Sequence, residues 1–167
     1  MTFHWSLYFC LFLALWSALV GGVFKAFSEF IMAGLLRAEP AAGIESMQWI
    51  NRTVLRTEFV AALMSIAVFS VLFAVYALFV FTGPGQIVIL LAALIYVPGV
   101  FLMTIYGNVP MNNRLAKLDH RSDEAASYWA TYGKRWTRLN HVRTLGSIVT
   151  AGLYLVAAIT LINTGMV

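Results

Sequence analysis

Residues 59–81 read FVAALMSIAVFSVLFAVYALFVF, with no charged side chain among them. As a helix rising 1.5 Å per residue, the run covers about 34 Å, enough to cross a hydrocarbon layer about 30 Å thick. Thr82-Gly83-Pro84-Gly85 follows and combines the strongest helix-breaking residues, which reads as a tight turn. A second apolar run from Gln86 to about Tyr106 returns across the layer. Outward from this hairpin, residues 5–36 form an earlier apolar run interrupted by Lys25 and Glu29, and residues 142–162 form a later one. The runs are too long and too uniformly apolar for the alternating pattern of a membrane barrel. The sequence therefore predicts an all-α fold, a four-helix transmembrane bundle in a single domain over residues 1–167.

Composition agrees. The 167 residues are 61% hydrophobic and 11% charged, against about 25% charged in soluble domains. A small soluble domain leaves much of its surface in water and could not hide this much apolar area. A net charge of +4 would suggest a nucleic-acid partner in a soluble protein, but the distribution of the charges gives another reason for it. Every basic residue except Lys25 lies in two polar connections, residues 37–58 and 108–143. With four spans these connections share one side, which the positive-inside rule makes cytoplasmic. Both termini are then expected on the non-cytoplasmic side, in a bacterial setting across the cytoplasmic membrane, with the lipid bilayer as the main partner and no nucleic acid.

Both connections carry helical signals. Ile44, Met47, Ile50 and Leu55 recur at near-helical spacing behind Pro40, predicting a short interfacial helix. Ser122, with Asp123 and Glu124 in the following turn, reads as a helix start. That helix carries Tyr128, Trp129, Tyr132 and Trp136 and runs on toward the fourth span. The N-terminal run has no basic residue before Lys25 and is longer than a signal-peptide core, so it reads as a retained first helix. Cys10, the single cysteine, reads as a small buried apolar residue.

Few residues carry chemistry. Lys25 and Glu29, four apart, share a helix face and can form an intramembrane ion pair; alternatively Lys25 snorkels to an interface. Asn108 and Asn112 flank Pro110, which is expected to end the third span. Their amides can grip a ligand carbonyl or hydroxyl, or cap a helix end. Trp136, Asn140 and Arg143 stand at i, i+4 and i+7 on one face, with His141 beside them as a candidate general base. The competing reading is an interfacial belt of Trp, His and Arg. His4 and His120 lie apart from this cluster. No His, Cys, Asp or Glu set has metal-ligand spacing, and no phosphate loop or nucleophile elbow is present.

Several stretches resemble one family. They are Gly21-Gly22-Val23-Phe24 with Ala26-Phe27-Ser28, Ala42-Gly43-Ile44 with Met47-Gln48 and Ile50-Asn51-Arg52, Asn108-Val109-Pro110 with Asn112, and Trp136 with Asn140-His141-Val142-Arg143. Taken together they resemble the anthrone oxygenase-like integral membrane proteins, which include a bacterial domain family of unknown function. The resemblance implies a four-helix membrane bundle. It also implies a cofactor-independent oxygenase, with no cofactor, that oxidises a hydrophobic aromatic small molecule of the anthrone or quinone type. On that reading His141 is the base, and Asn108, Asn112 and Asn140 are donors to an oxyanion. Arg143 adds charge stabilisation, and Trp129 and Trp136 stack on the flat ligand. Lys25, Glu29 and Ala33 depart from the family pattern along the first helix, which points to a different ligand or to no catalysis. The competing class is a non-catalytic accessory subunit, as part of a homo-oligomer or a larger membrane complex; convergence of the polar side chains on one pocket would favour ligand binding.

Overall fold

A computed structural model describes residues 5–165. His4 lies outside them. The first rod consists of α1 (Trp5–Ala26), a widened π turn (Phe27–Ile31) and α2 (Met32–Arg37). Then α3 (Pro40–Val54) turns across the polar end of the molecule, with Pro40 in its first turn. The hairpin follows as α4 (Glu58–Val80) and α5 (Pro84–Tyr96). Two π segments, Val97–Leu102 and Thr104–Asn108, carry α5 on into α6 (Val109–Leu115). Last comes α7 (Asp123–Asn163), a single helix of 41 residues. Among the described residues, four continuous rods are long and apolar enough to cross a membrane: Trp5–Arg37, Glu58–Val80, Pro84–Leu115 and Asp123–Asn163.

Local chemistry explains the element ends. Gly83 adopts φ 73°, a left-handed conformation that side chains resist, and Pro84 then opens α5. Gln86 folds back, its Nε2 donating to the carbonyls of Ala77 at 3.0 Å and Phe81 at 2.8 Å, and so satisfies the end of α4. Ser122 caps α7, its Oγ accepting from the Ala125 amide at 3.2 Å.

One expectation fails at Pro110. The third rod does not stop near Tyr106 but continues to Leu115. The reason lies in the preceding π segment. The Val109 amide reaches back five residues to the Thr104 carbonyl, so the regular i→i−4 ladder is already broken before the proline arrives. Pro110 then sits in the first turn of α6, where a missing N–H costs little.

Packing divides into two cores. The membrane half is filled by Leu13, Phe73, Ile89, Tyr96, Tyr154 and Leu161 among others. Its outer surface exposes Leu15, Phe79, Leu94 and Leu145, large apolar side chains suited to lipid rather than water. Small residues let the helices close up: a Cβ added at Gly21 would lie 3.1 Å from the Ser147 Cβ, which seats α1 tightly on α7. The polar half has its own core of Met32, Ile44, Met47, Met111, Leu115, Trp129, Tyr132 and Trp136. Here α3 is pinned by Gln48, whose Nε2 donates to the carbonyls of Leu115 at 2.8 Å and Leu118 at 2.9 Å. Ile44 and Met47 face inward as their spacing predicts, whereas Leu55 falls beyond the end of α3 and is exposed.

Candidate functional site

Between the two cores lies a cavity of about 230 Å³ with a largely apolar wall. Phe24 and Phe27 come from the first rod and Met47, Ile50 and Asn51 from α3. Phe59 and Leu63 come from α4, Thr104 and Asn112 from the third rod, and Trp136 and Arg143 from α7. Every rod and the crossing helix contribute. An apolar pocket with a few convergent polar groups is the usual form of a small-molecule site.

Arg143 is the main charged group buried at this wall. Its Nη2 donates to Asn140 Oδ1 at 2.7 Å and its Nη1 to Thr104 Oγ1 at 3.4 Å. Its guanidinium lies over the Phe24 ring at 4.3 Å and near the Trp136 ring at 5.2 Å. The side chain is 5% exposed, and its Nε has no hydrogen-bond partner within the chain. Among the described residues the ion pairs are Lys25 with Glu29, and His120 with Glu45 and Asp119; Arg143 belongs to none. Buried charges in proteins are ordinarily paired, because an uncompensated one is costly. Here two neutral oxygens and two aromatic faces stand in for a counter-charge.

Asn140 positions this cation. It is fully buried, and its Nδ2 donates to the Phe24 carbonyl at 2.6 Å and to Ser28 Oγ at 2.8 Å. Ser28 lies within the π turn of the first rod, where the helical ladder widens, and Phe24 lies just before it. Asn140 thereby clamps α7 to the first rod and offers its remaining oxygen to Arg143. Asn112 does similar work for the aromatic wall. Its Oδ1 accepts from Tyr132 Oη and from Trp136 Nε1, both at 2.8 Å, which fixes the plane of the Trp136 ring, and the residue itself lines the cavity.

The residues expected in the site thus separate. Arg143, Trp136 and Asn112 line the cavity, and Asn140 lies directly behind Arg143. Asn108 is buried beside them, with Nδ2 donating to the Trp136 carbonyl at 3.2 Å and Oδ1 unpartnered, but it does not reach the wall. Trp129 stacks on Tyr132 at 5.4 Å, one layer back, and does not line the cavity. His141 does not join the cluster. It is exposed, because one residue along a helix turns a side chain about 100° away from Asn140. Lys25 and Glu29 pair with each other on the exterior, away from the cavity. The described residues include no group of three His, Cys, Asp or Glu side chains able to hold a metal ion.

From sequence, Asn51 has no role beyond its place in the Ile50-Asn51-Arg52 stretch, and Thr104 is not singled out. Asn51 lies seven residues after Ile44 on the inward face of α3, and its Nδ2 is buried without a partner. A polar residue on the apolar face of an amphipathic helix was the available signal. Thr104 is a lone hydroxyl within an apolar run, a weaker one.

The model of the anthrone oxygenase family matches residues 52–162, about two thirds of the chain. The chain belongs to the anthrone oxygenase family. The matched segment includes α4, α5, α6 and most of α7, and therefore Thr104, Asn112, Trp136, Asn140 and Arg143. The first rod and nearly all of α3, which complete the cavity, precede it. No curated protein and no solved structure matches the chain significantly.

Proposed function

We propose that this member of the anthrone oxygenase family binds a flat, hydrophobic aromatic ketone of the anthrone type in the cavity and promotes its oxidation by molecular oxygen. The observation that carries this reading is the buried guanidinium of Arg143, facing an apolar space without a carboxylate partner. Such a group is suited to an oxygen that becomes negative during reaction. The ligand carbonyl points toward Arg143, its rings lie against Trp136 and Phe24, and the Asn112 amide gives a second donor.

The chemistry follows from the substrate. The methylene carbon opposite the carbonyl gives up a proton to solvent, leaving an enolate whose oxygen Arg143 stabilises. The electron-rich ring passes one electron to oxygen, and the resulting radical and superoxide join in a carbon–oxygen bond. Taking up a proton completes a hydroperoxide. The second hydrogen on that carbon then leaves as a proton while the oxygen–oxygen bond breaks, giving the second carbonyl and hydroxide, which ends as water. One anthrone and one oxygen molecule thus give one quinone and one water. A preorganised donor at a developing oxyanion contributes about 3–4 kcal/mol, or about 10²–10³ in rate.

His141 has no part in this scheme. The test is oxygen uptake and quinone formation by the purified protein in lipid vesicles supplied with anthrone. Arg143→Gln should lower the rate about a hundredfold, and His141→Ala should leave it within about twofold. Uptake at the spontaneous rate in the unmodified protein would remove the reading.

A further inference from the structure

The geometry points to a lateral entrance: we infer that the cavity is filled from the bilayer, through a window between α1 and α4, and not from water. The inference rests on the proposed binding of a hydrophobic aromatic ligand, and concerns where that ligand comes from.

The cavity wall includes residues that face outward. Val23 on α1 is 41% exposed and Met64 on α4 is 37% exposed, and both line the cavity together with half-buried Val60. A side chain that borders both the exterior and an internal cavity marks a gap in the wall. Aromatic contacts between α1 and α4 fall on either side of this gap. Toward the outer ends, Phe9 meets Phe73 at 5.0 Å and Trp5 meets Tyr76 at 4.9 Å. Toward the polar end, Phe24 meets Phe59 edge-on at 5.5 Å.

Its depth places the window in hydrocarbon. Met64 is the seventh residue of α4, about 9 Å along the axis from its polar end. A 23-residue helix is about 34 Å long and the hydrocarbon layer about 30 Å thick, which leaves only a few ångströms of α4 outside lipid at either end. Val23 adjoins Phe24, which meets Phe59, so it stands near the level of Val60 at the polar edge of the layer, and the window runs from there inward to Met64. The frame is apolar throughout: Val23, Val60, Leu63 and Met64. The cavity also opens toward the polar end near Arg52, Leu55, Val109, Asn113 and Ala116, where Leu55 is 70% and Val109 37% exposed, but a three-ring aromatic is concentrated in lipid and scarce in water. The window faces the phase that holds the ligand.

A nitroxide probe inside the cavity tests this without any substrate. The full-length protein carries Cys10→Ala and Asn51→Cys, is labelled at position 51, and is placed in phosphatidylethanolamine–phosphatidylglycerol vesicles. Power-saturation measurements then compare collisions with oxygen, which concentrates in lipid, and with a water-soluble nickel chelate. The expected result is strong oxygen and weak nickel collision, with Val23→Trp or Met64→Trp reducing the oxygen term at least severalfold and Ala116→Trp leaving it unchanged. Dominant nickel collision, or blockage by Ala116→Trp in place of the window variants, would overturn the inference. An unfolded variant is recognised by its lost helical circular dichroism, and the two window positions serve as independent replicates. Because no turnover is involved, failure of the anthrone assay and failure of the window are read separately.

Discussion

Arg143 combines two costs that a purely structural residue would avoid. The chain removes the guanidinium from water and then gives it no carboxylate, only Asn140 Oδ1, Thr104 Oγ1 and two rings. Such an arrangement fits the proposed role, in which the charge acts on a bound ligand. The expectation is that Arg143→Met leaves the apparent unfolding free energy in detergent unchanged or raises it by about 1–2 kcal/mol. Relief of the buried charge offsets the two oxygens left without a donor. Ligand binding and oxygen uptake should vanish in the same variant. A loss of several kcal/mol on chemical unfolding would instead make the guanidinium a structural strut. Asn140 differs, since it joins the first rod to α7 and its removal should harm both properties together.

The helical elements follow from sequence wherever one physical signal dominates. Long uncharged runs locate the rods, Gly83-Pro84 locates the turn, and Ser122 locates the start of α7. The i, i+4, i+7 spacing of Trp136, Asn140 and Arg143 places these three on one face, and that face is buried. What spacing does not reveal is which side chain meets which. His141 is adjacent in sequence yet points outward, Trp129 shares a helix with Trp136 yet stands behind Tyr132, and Asn51 arrives from another element. Pro110 misleads for a local reason: a π turn can absorb a proline, and no residue pattern announces it. The close approach of α3 to α2 is equally silent in sequence. A Cβ on Gly43 would lie 2.5 Å from the Leu35 carbonyl oxygen and 3.2 Å from the Trp129 ring. Gly43→Ala should therefore destabilise the protein by about 1–3 kcal/mol, despite alanine's better helix propensity, because backbone must move. The midpoint of thermal unfolding in detergent reads that cost directly.

At the scale of the molecule, four rods pack around an apolar core while α3 closes the polar end over the cavity. The rods differ in length: α4 has 23 residues and α7 has 41, so α7 is about 60 Å long and α4 about 34 Å. Only about half of α7 can lie in hydrocarbon, and the other half carries the wall of the cavity. Oxygen uptake measured in phosphatidylcholine vesicles of increasing acyl length should therefore pass through a maximum, falling severalfold in the thinnest and thickest bilayers, whereas a site insulated from the lipid would give a flat profile. The unbroken run of α7 is the cause. A membrane helix adjusts to its surroundings by leaning, and a rod that leans at one end swings at the other. Trp136 and Arg143 ride on that lever while Met47 and Asn51 ride on α3. On this reading bilayer thickness is a mechanical input to the geometry of the cavity, delivered without any ligand or modification.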